Sequence, residues 1–228
     1  MTLKKIWILV LIFSTATTAL RAQTDVKAKV ILDGVSKKYK AFSAIKSNFS
    51  YVLDNPQESI KSYKQSGTII ANPKTNKFRV TIYDGSGNAK TINQEIISDG
   101  KTQWTYLKKD NEIQVNDADN NPQSLNPAQV FTIYEKGYKY LFTGEVKQQG
   151  IVYQQIDLTP VDSKKPFFKI KLQINKAKSL IYSAAIFDKN GSKYTYILNS
   201  GAIDYKGADT IFGFNKKNYP GIEVVDLR

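Results

Sequence analysis

Apolar and polar residues alternate with a period of two along most of the chain and follow a helical period in only two places. Residues 24–40 carry Ala28, Ile31, Leu32, Val35 and Tyr39 on one face at helical spacing, with Lys27, Lys29, Lys37 and Lys38 mostly elsewhere. This predicts an amphipathic helix, capped by Thr24 or Asp25. It either closes the core or lies over an open sheet as part of a lid. Residues 127–136 predict a second, short helix. Asn126 can cap it, Pro127 stands at the first position where a missing N–H does no harm, Val130, Phe131 and Tyr134 form its apolar face, and Gly137 ends it.

The rest reads as strands. Ile45, Phe49, Tyr51 and Leu53 alternate with Lys46, Asn48 and Ser50 up to Asn55-Pro56. A second strand is expected from Ser59 to Ala71, ended by Asn72-Pro73-Lys74-Thr75-Asn76, and a third places Phe78, Val80 and Ile82 opposite Arg79 and Thr81. After the Asp84–Asn88 turn, residues 96–106 read as two strands around an Asp99-Gly100 turn of type I′, with Thr102, Trp104 and Tyr106 on one face. Ile113 and Val115 mark a sixth strand. Five more are expected near 138–147, 151–159, 167–175, 179–188 and 192–199, with Asn190-Gly191 as a second hairpin turn. In one of them Phe168, Ile170, Leu172 and Ile174 alternate with Lys169, Lys171, Gln173 and Asn175, so that strand has a wet face. The tail from Asp209, with Phe212, Phe214 and Tyr219, reads as short strand or loop. About eleven strands with short connections predict a mainly β (α+β) fold: one strongly curved antiparallel sheet, with a partial barrel as one form of it, and helices on its concave side.

Composition narrows the chemistry. Of 228 residues 41% are hydrophobic and 12% aromatic, enough for a sizeable core. There is no Cys and no His, which removes disulfides, a lipid-bearing cysteine, the usual zinc, haem and iron–sulfur ligands, and the commonest general base. Net charge is +13. The lysines are scattered over strands, turns and helix without an arginine-rich cluster, which favours a solvated surface over nucleic-acid binding. Asp117-x-Asp119-x-Asn121 opens like a calcium loop, but Pro122 stands where Gly is needed and Ala128 where Glu is needed, so it reads as a polar loop.

Residues 1–22 read as a secretory signal: Lys4-Lys5, an apolar run from Ile6 to Phe13 too short to span a bilayer, and small residues before a cleavage point after Ala22 or Ala19. Residues 23–228 then form a single exported domain.

Several stretches resemble the LolA-type periplasmic lipoprotein carriers. Ser98-Asp99-Gly100-Lys101-Thr102-x-Trp104-x-Tyr106 is similar to their central hairpin, Ile156-Asp157-Leu158-Thr159-Pro160 to a strand ending in Leu-Thr-Pro, and the run Phe168–Ile174 and Gly191-Ser192-x-Tyr194-x-Tyr196-x-Leu198 match in kind and spacing. The resemblance implies an unclosed β-barrel with a helical lid over a hydrophobic cavity. It also implies a periplasmic carrier that shields lipoprotein acyl chains between inner and outer membrane. A lipoprotein-releasing transporter of the inner membrane would load it. The outer-membrane acceptor is left unnamed, and no cofactor, metal or nucleic acid is involved in what is expected to be a monomer. Phe78 and Asn76 match the family's Arg-Pro-Asn-x-Phe segment. The Arg, which helps hold the lid closed, falls on Lys74, and the Pro is displaced to Pro73. Lys makes single hydrogen bonds where Arg makes a fork of them, so a weaker latch is expected.

The alternating apolar faces nominate Phe49, Tyr51, Phe78, Val80, Ile82, Trp104 and Tyr106 as cavity lining, with Phe131 and Tyr134 from the lid helix. Ordinary core packing is the competing reading of each. Two other functions compete. A lipid-binding sensor on the same fold would form stable complexes and move no cargo. A lipid hydrolase lacks a Gly-x-Ser-x-Gly elbow and the histidine of a serine triad, which leaves it only a Ser–Lys pairing; a non-enzyme is expected.

Overall fold

The computed structural model describes residues 25–84, 91–118, 131–199 and 202–228. The signal segment, the 85–88 turn, most of the 117–127 loop and the 127–130 part of the expected second helix, Val130 included, lie outside them.

Helix α1 runs Val26–Lys40. Asp25 caps it, its carboxylate accepting from the amides of Lys27 (2.8 Å) and Ala28 (3.1 Å). Ala28, Leu32, Val35 and Tyr39 are the face it buries. The strands are β1 (Ile45–Asn55), β2 (Ile60–Asn72), β3 (Lys77–Asp84), β4 (Thr91–Ser98), β5 (Thr102–Leu107), β6 (Glu112–Asp117), β7 (Tyr138–Gln148), β8 (Ile151–Pro160), β9 (Phe167–Asn175), β10 (Leu180–Asp188), β11 (Lys193–Leu198), β12 (Ile203–Asp204) and β13 (Glu223–Asp226). The first eleven are the expected strands; β12 and β13 come from the C-terminal segment.

They form one curved, open sheet in the order β13-β6-β5-β4-β3-β2-β1-β11-β10-β9-β8-β7, with β12 also pairing β1. Neighbours are antiparallel except β13, which runs parallel to β6. The pairing of β1 with β11 joins the two halves, setting Phe49 opposite Leu198 and Tyr51 opposite Tyr196. Strands β13 and β7 remain the two edges, so the barrel does not close.

Turn chemistry differs from expectation at both hairpins singled out above. Neither Asp99 nor Asn190 has positive φ, so neither turn is type I′. The Asp99 carboxylate instead accepts from the amides of Lys101 (2.9 Å) and Thr102 (2.8 Å), making a wider loop. Gly100 has φ +93°, and a Cβ there would lie 2.5 Å from the carbonyl oxygen of Thr75. The hairpin tip therefore rests on the β2–β3 turn, and only glycine permits that approach. A two-residue turn with both φ positive does occur at Gln149-Gly150.

A register shift at Phe187/Asp188 changes the reading of β9. Phe167, not Phe168, enters the core: Phe167 is 4% exposed and Phe168 51%. Phe168 is turned outward, where its ring lies 6.2 Å from that of Phe187.

Candidate functional site

The faces of the sheet follow from the registers. Phe78, Val80 and Ile82 of β3 lie opposite Ser98, Ile96 and Gln94 of β4. Ala71 and Ile69 of β2 lie opposite Ile45 and Ser47 of β1, and Gly67 opposite Phe49. Ile45, Phe49, Ile69, Ala71, Phe78 and Val80 share one large core with the apolar side of α1, and Ile82 and Ile96 pack against it. The same core takes Ile156 and Leu158 of β8, Ile170, Leu172 and Ile174 of β9, and Ala184 and Ile186 of β10.

Of the nominated lining residues, Phe49, Phe78, Val80, Phe131 and Tyr134 are buried in this core, and Tyr51 and Ile82 are half-buried against it. Tyr134 is the middle residue of a 3₁₀ turn at Ile133–Glu135, and Phe131 precedes it, where a short helix was expected. The ring of Phe131 meets that of Tyr39 edge-on at 5.1 Å.

Trp104 and Tyr106 do not belong to this group. Trp104 lies opposite Ile97 and Tyr106 opposite Glu95, whereas Ile96, one residue away, lies opposite Thr105. One step along a strand reverses the face. Both aromatics therefore stand on the far side of the sheet, packed with Ile113, Val115 and Ile222 and with Phe214 and Tyr219 of the C-terminal segment. Their cover is the protein's own tail.

That tail is clamped by a buried ion pair absent from the sequence reading. Arg79 grips Glu95 with a two-pronged bond, Nε to Oε1 at 3.0 Å and Nη2 to Oε2 at 2.9 Å. Thr81 donates to the same carboxylate at 2.8 Å, Tyr219 donates to it as well, and Arg79 reaches the carbonyl of Ile211 at 3.2 Å. Burial pushes the Glu95 carboxyl up, but the bonds from Arg79, Tyr219 and Thr81 outweigh it and hold the group below the usual carboxylate range.

On the concave side burial is graded. Towards the β2–β3 turn, α1 and Phe131 cover the sheet and Ile45, Ala71 and Phe78 are fully buried. Towards the opposite strand ends, Tyr51 and Leu53 of β1, Ile82 of β3 and Tyr194 and Tyr196 of β11 are only half-buried. Tyr138, Tyr140 and Phe142 of β7 are likewise half-buried against the core. The β7 and β11 aromatics were not nominated, although Tyr138-x-Tyr140-x-Phe142 and Tyr194-x-Tyr196-x-Leu198 show the same alternation as β3.

Helix α1 is tied to the sheet at both ends. The free oxygen of Asp25 accepts from the amide of Phe142 at 2.8 Å. Near its other end, the Tyr39 hydroxyl accepts from the buried amide of Ile181 at 3.0 Å. Lys74 makes a single long bond, 3.4 Å, to the carbonyl of Phe42 just beyond the helix. Among the described residues no group of three or more acidic side chains is placed to hold a metal ion.

The sheet thus carries an apolar concave face under a helix tethered to it. In structure, an uncharacterised conserved protein from Thermus thermophilus is similar over 88% of this chain and 99% of its own, with a TM-score of 0.57 at 14% identity. The lipoprotein LppX of Mycobacterium tuberculosis is similar over 81% of this chain and 98% of its own (TM-score 0.47, 11% identity), and a LolA superfamily protein from Nitrosomonas europaea over 82% and 97% (0.42, 14%). No curated protein matches the sequence. The family model described as outer membrane lipoprotein carrier protein LolA matches residues 45–179, more than half of the chain. The open sheet, its helix and that match together place this chain in the LolA family.

Proposed function

We propose that this protein is an exported, periplasmic carrier that shields the acyl chains of lipoproteins, or of another acylated molecule, on their way from the inner to the outer membrane. The observation that carries this reading is the graded concave face, in which an apolar core under α1 continues into half-buried Tyr51, Leu53, Ile82, Tyr194 and Tyr196. Each methylene taken out of water is worth about 0.8 kcal/mol, so an acylated molecule leaves a bilayer only for a surface of similar apolar extent. An open sheet with a tethered helix offers such a surface and can give it up again. In this reading Phe49, Tyr51, Phe78, Val80, Ile82, Phe131 and Tyr134 serve the cavity, and Lys74 is a single-bonded lid latch. An inner-membrane lipoprotein-releasing transporter would load the carrier, which works as a monomer without catalysing a reaction.

The test is native mass spectrometry with lipid extraction on protein isolated from the periplasm of the cells that make it. A co-purified acylated lipoprotein is the expected result. Isolation without ligand, together with failure to take up a fluorescent fatty-acid probe, would overturn the reading.

A further inference from the structure

The half-buried end of the concave face carries tyrosines that hydrocarbon shielding does not by itself require. Tyr51 of β1 lies opposite Tyr196 of β11, and Leu53 opposite Tyr194. The Tyr51 ring is 5.1 Å from that of Tyr196 and 6.3 Å from that of Tyr194. Tyr63 of β2, opposite Leu53, extends the group to the surface. Among the described residues, the hydroxyls of Tyr51, Tyr194 and Tyr196 have no hydrogen-bond partner. None of these three hydroxyls is among the side-chain atoms sealed from water without a partner, so each stays open to a ligand entering from this end. Phenylalanine, which stands at Phe49 next along the same face, would serve an alkyl chain equally well.

The Tyr51 and Tyr196 hydroxyls are held neutral. Burial, followed by the nearby phenols of Tyr196, Tyr194 and Tyr63, pushes Tyr51 well above the usual range. Burial and then Tyr194 push Tyr196 up to about 12. The positions across from this group on the concave face are Gln65 and Tyr63 of β2 and Ala184 and Ile186 of β10, with no Lys or Arg among them. Neutral donors in apolar surroundings without a cation suit a neutral acceptor, not a phosphate or carboxylate.

We propose that Tyr51, Tyr194 and Tyr196 form a subsite that donates hydrogen bonds to the ester or amide carbonyl oxygens of an acylated ligand. The linkage end of the ligand lies at these tyrosines, and its hydrocarbon runs inward along Phe49 and Val80. This rests on the carrier reading and adds to it a preference for carbonyl-linked acyl chains over hydrocarbon that lacks the carbonyl.

The test compares two probes on the mature full-length chain: a dimyristoyl glycerol ester and the ditetradecyl glycerol ether of equal chain length, each displacing a fluorescent fatty acid. Wild type is expected to bind the ester about tenfold more tightly, the scale of one or two net hydrogen bonds. The variant Tyr51→Phe/Tyr194→Phe/Tyr196→Phe keeps the rings, so its melting temperature should hold. It should bind ester and ether alike, losing the tenfold preference. Equal affinities in wild type, or a preference that survives in the variant, would overturn the subsite and leave the carrier reading standing. Binding of neither probe to wild type would overturn both.

Discussion

The Phe49 ring approaches Gly67, its partner across the β1–β2 ladder, so closely that a Cβ on Gly67 would fall 2.4 Å from its Cζ. The same Cβ would meet the carbonyl oxygen of Thr81 on β3 at 2.4 Å. Gly67 is thus a place where an aromatic and two neighbouring strands converge. Gly67→Ala should destabilise by about 1–3 kcal/mol, read from denaturant unfolding. In a Phe49→Ala background Gly67→Ala should still destabilise, since the Thr81 carbonyl still blocks the Cβ; no cost in that background would show that the ring alone imposes glycine.

The tail clamp predicts a larger effect. Glu95 is 3% exposed, so Arg79→Ala leaves a buried carboxylate without its cation. The expected cost is about 3–5 kcal/mol, with residues 203–228 becoming the first site of limited proteolysis. Unchanged stability and an intact tail would contradict the clamp.

The same pair sets a pH dependence. Glu95 is held below its unfolded value, so its contribution is present above the ordinary carboxylate pKa, about 4.3, and fades as pH falls through the lower folded value. The stability difference between wild type and Glu95→Gln should therefore be constant from pH 7 to about pH 5 and shrink below it. A difference that grew in acid would reverse the assignment.

Phe167 and Phe168 are adjacent phenylalanines with opposite fates. Phe167→Ala should cost about 3–5 kcal/mol, whereas Phe168→Ala should stay within about 0.5 kcal/mol. Comparable losses at both sites would contradict the register shift that turns Phe168 outward.

The tethers of α1 can be cut one at a time. Tyr39→Phe leaves the buried Ile181 amide without its acceptor and should cost about 1–3 kcal/mol, with faster hydrogen exchange at that amide. Lys74→Ala removes one long surface bond and should change global stability by less than about 0.5 kcal/mol. If Lys74→Ala were the more damaging of the two, Lys74 and not Tyr39 would be the stronger tether of this end of α1.

The sequence by itself determined the eleven principal strands, the helix with Thr24 or Asp25 as its cap, and the face shared by Phe78, Val80 and Ile82 on β3. These rest on local rules: period-two alternation, helical spacing and short polar capping residues act within a few positions of chain. It also carried the family resemblance. Tertiary structure decided which face of each strand is the inside. Alternation at Trp104 and Tyr106 shows that they share a face, but only the pairing of Ile97 with Trp104 shows that the face is the outer one. Likewise Phe168 alternates correctly with Ile170 on paper, and one register shift against β10 reverses it. The Arg79–Glu95–Tyr219 clamp joins residues 140 positions apart, and the β13–β6 pairing joins the end of the chain to its middle. Such contacts depend on where the sheet curves and what covers its back. The period of a strand carries no record of either, because side-chain alternation is a property of one strand and facing is a property of the whole sheet.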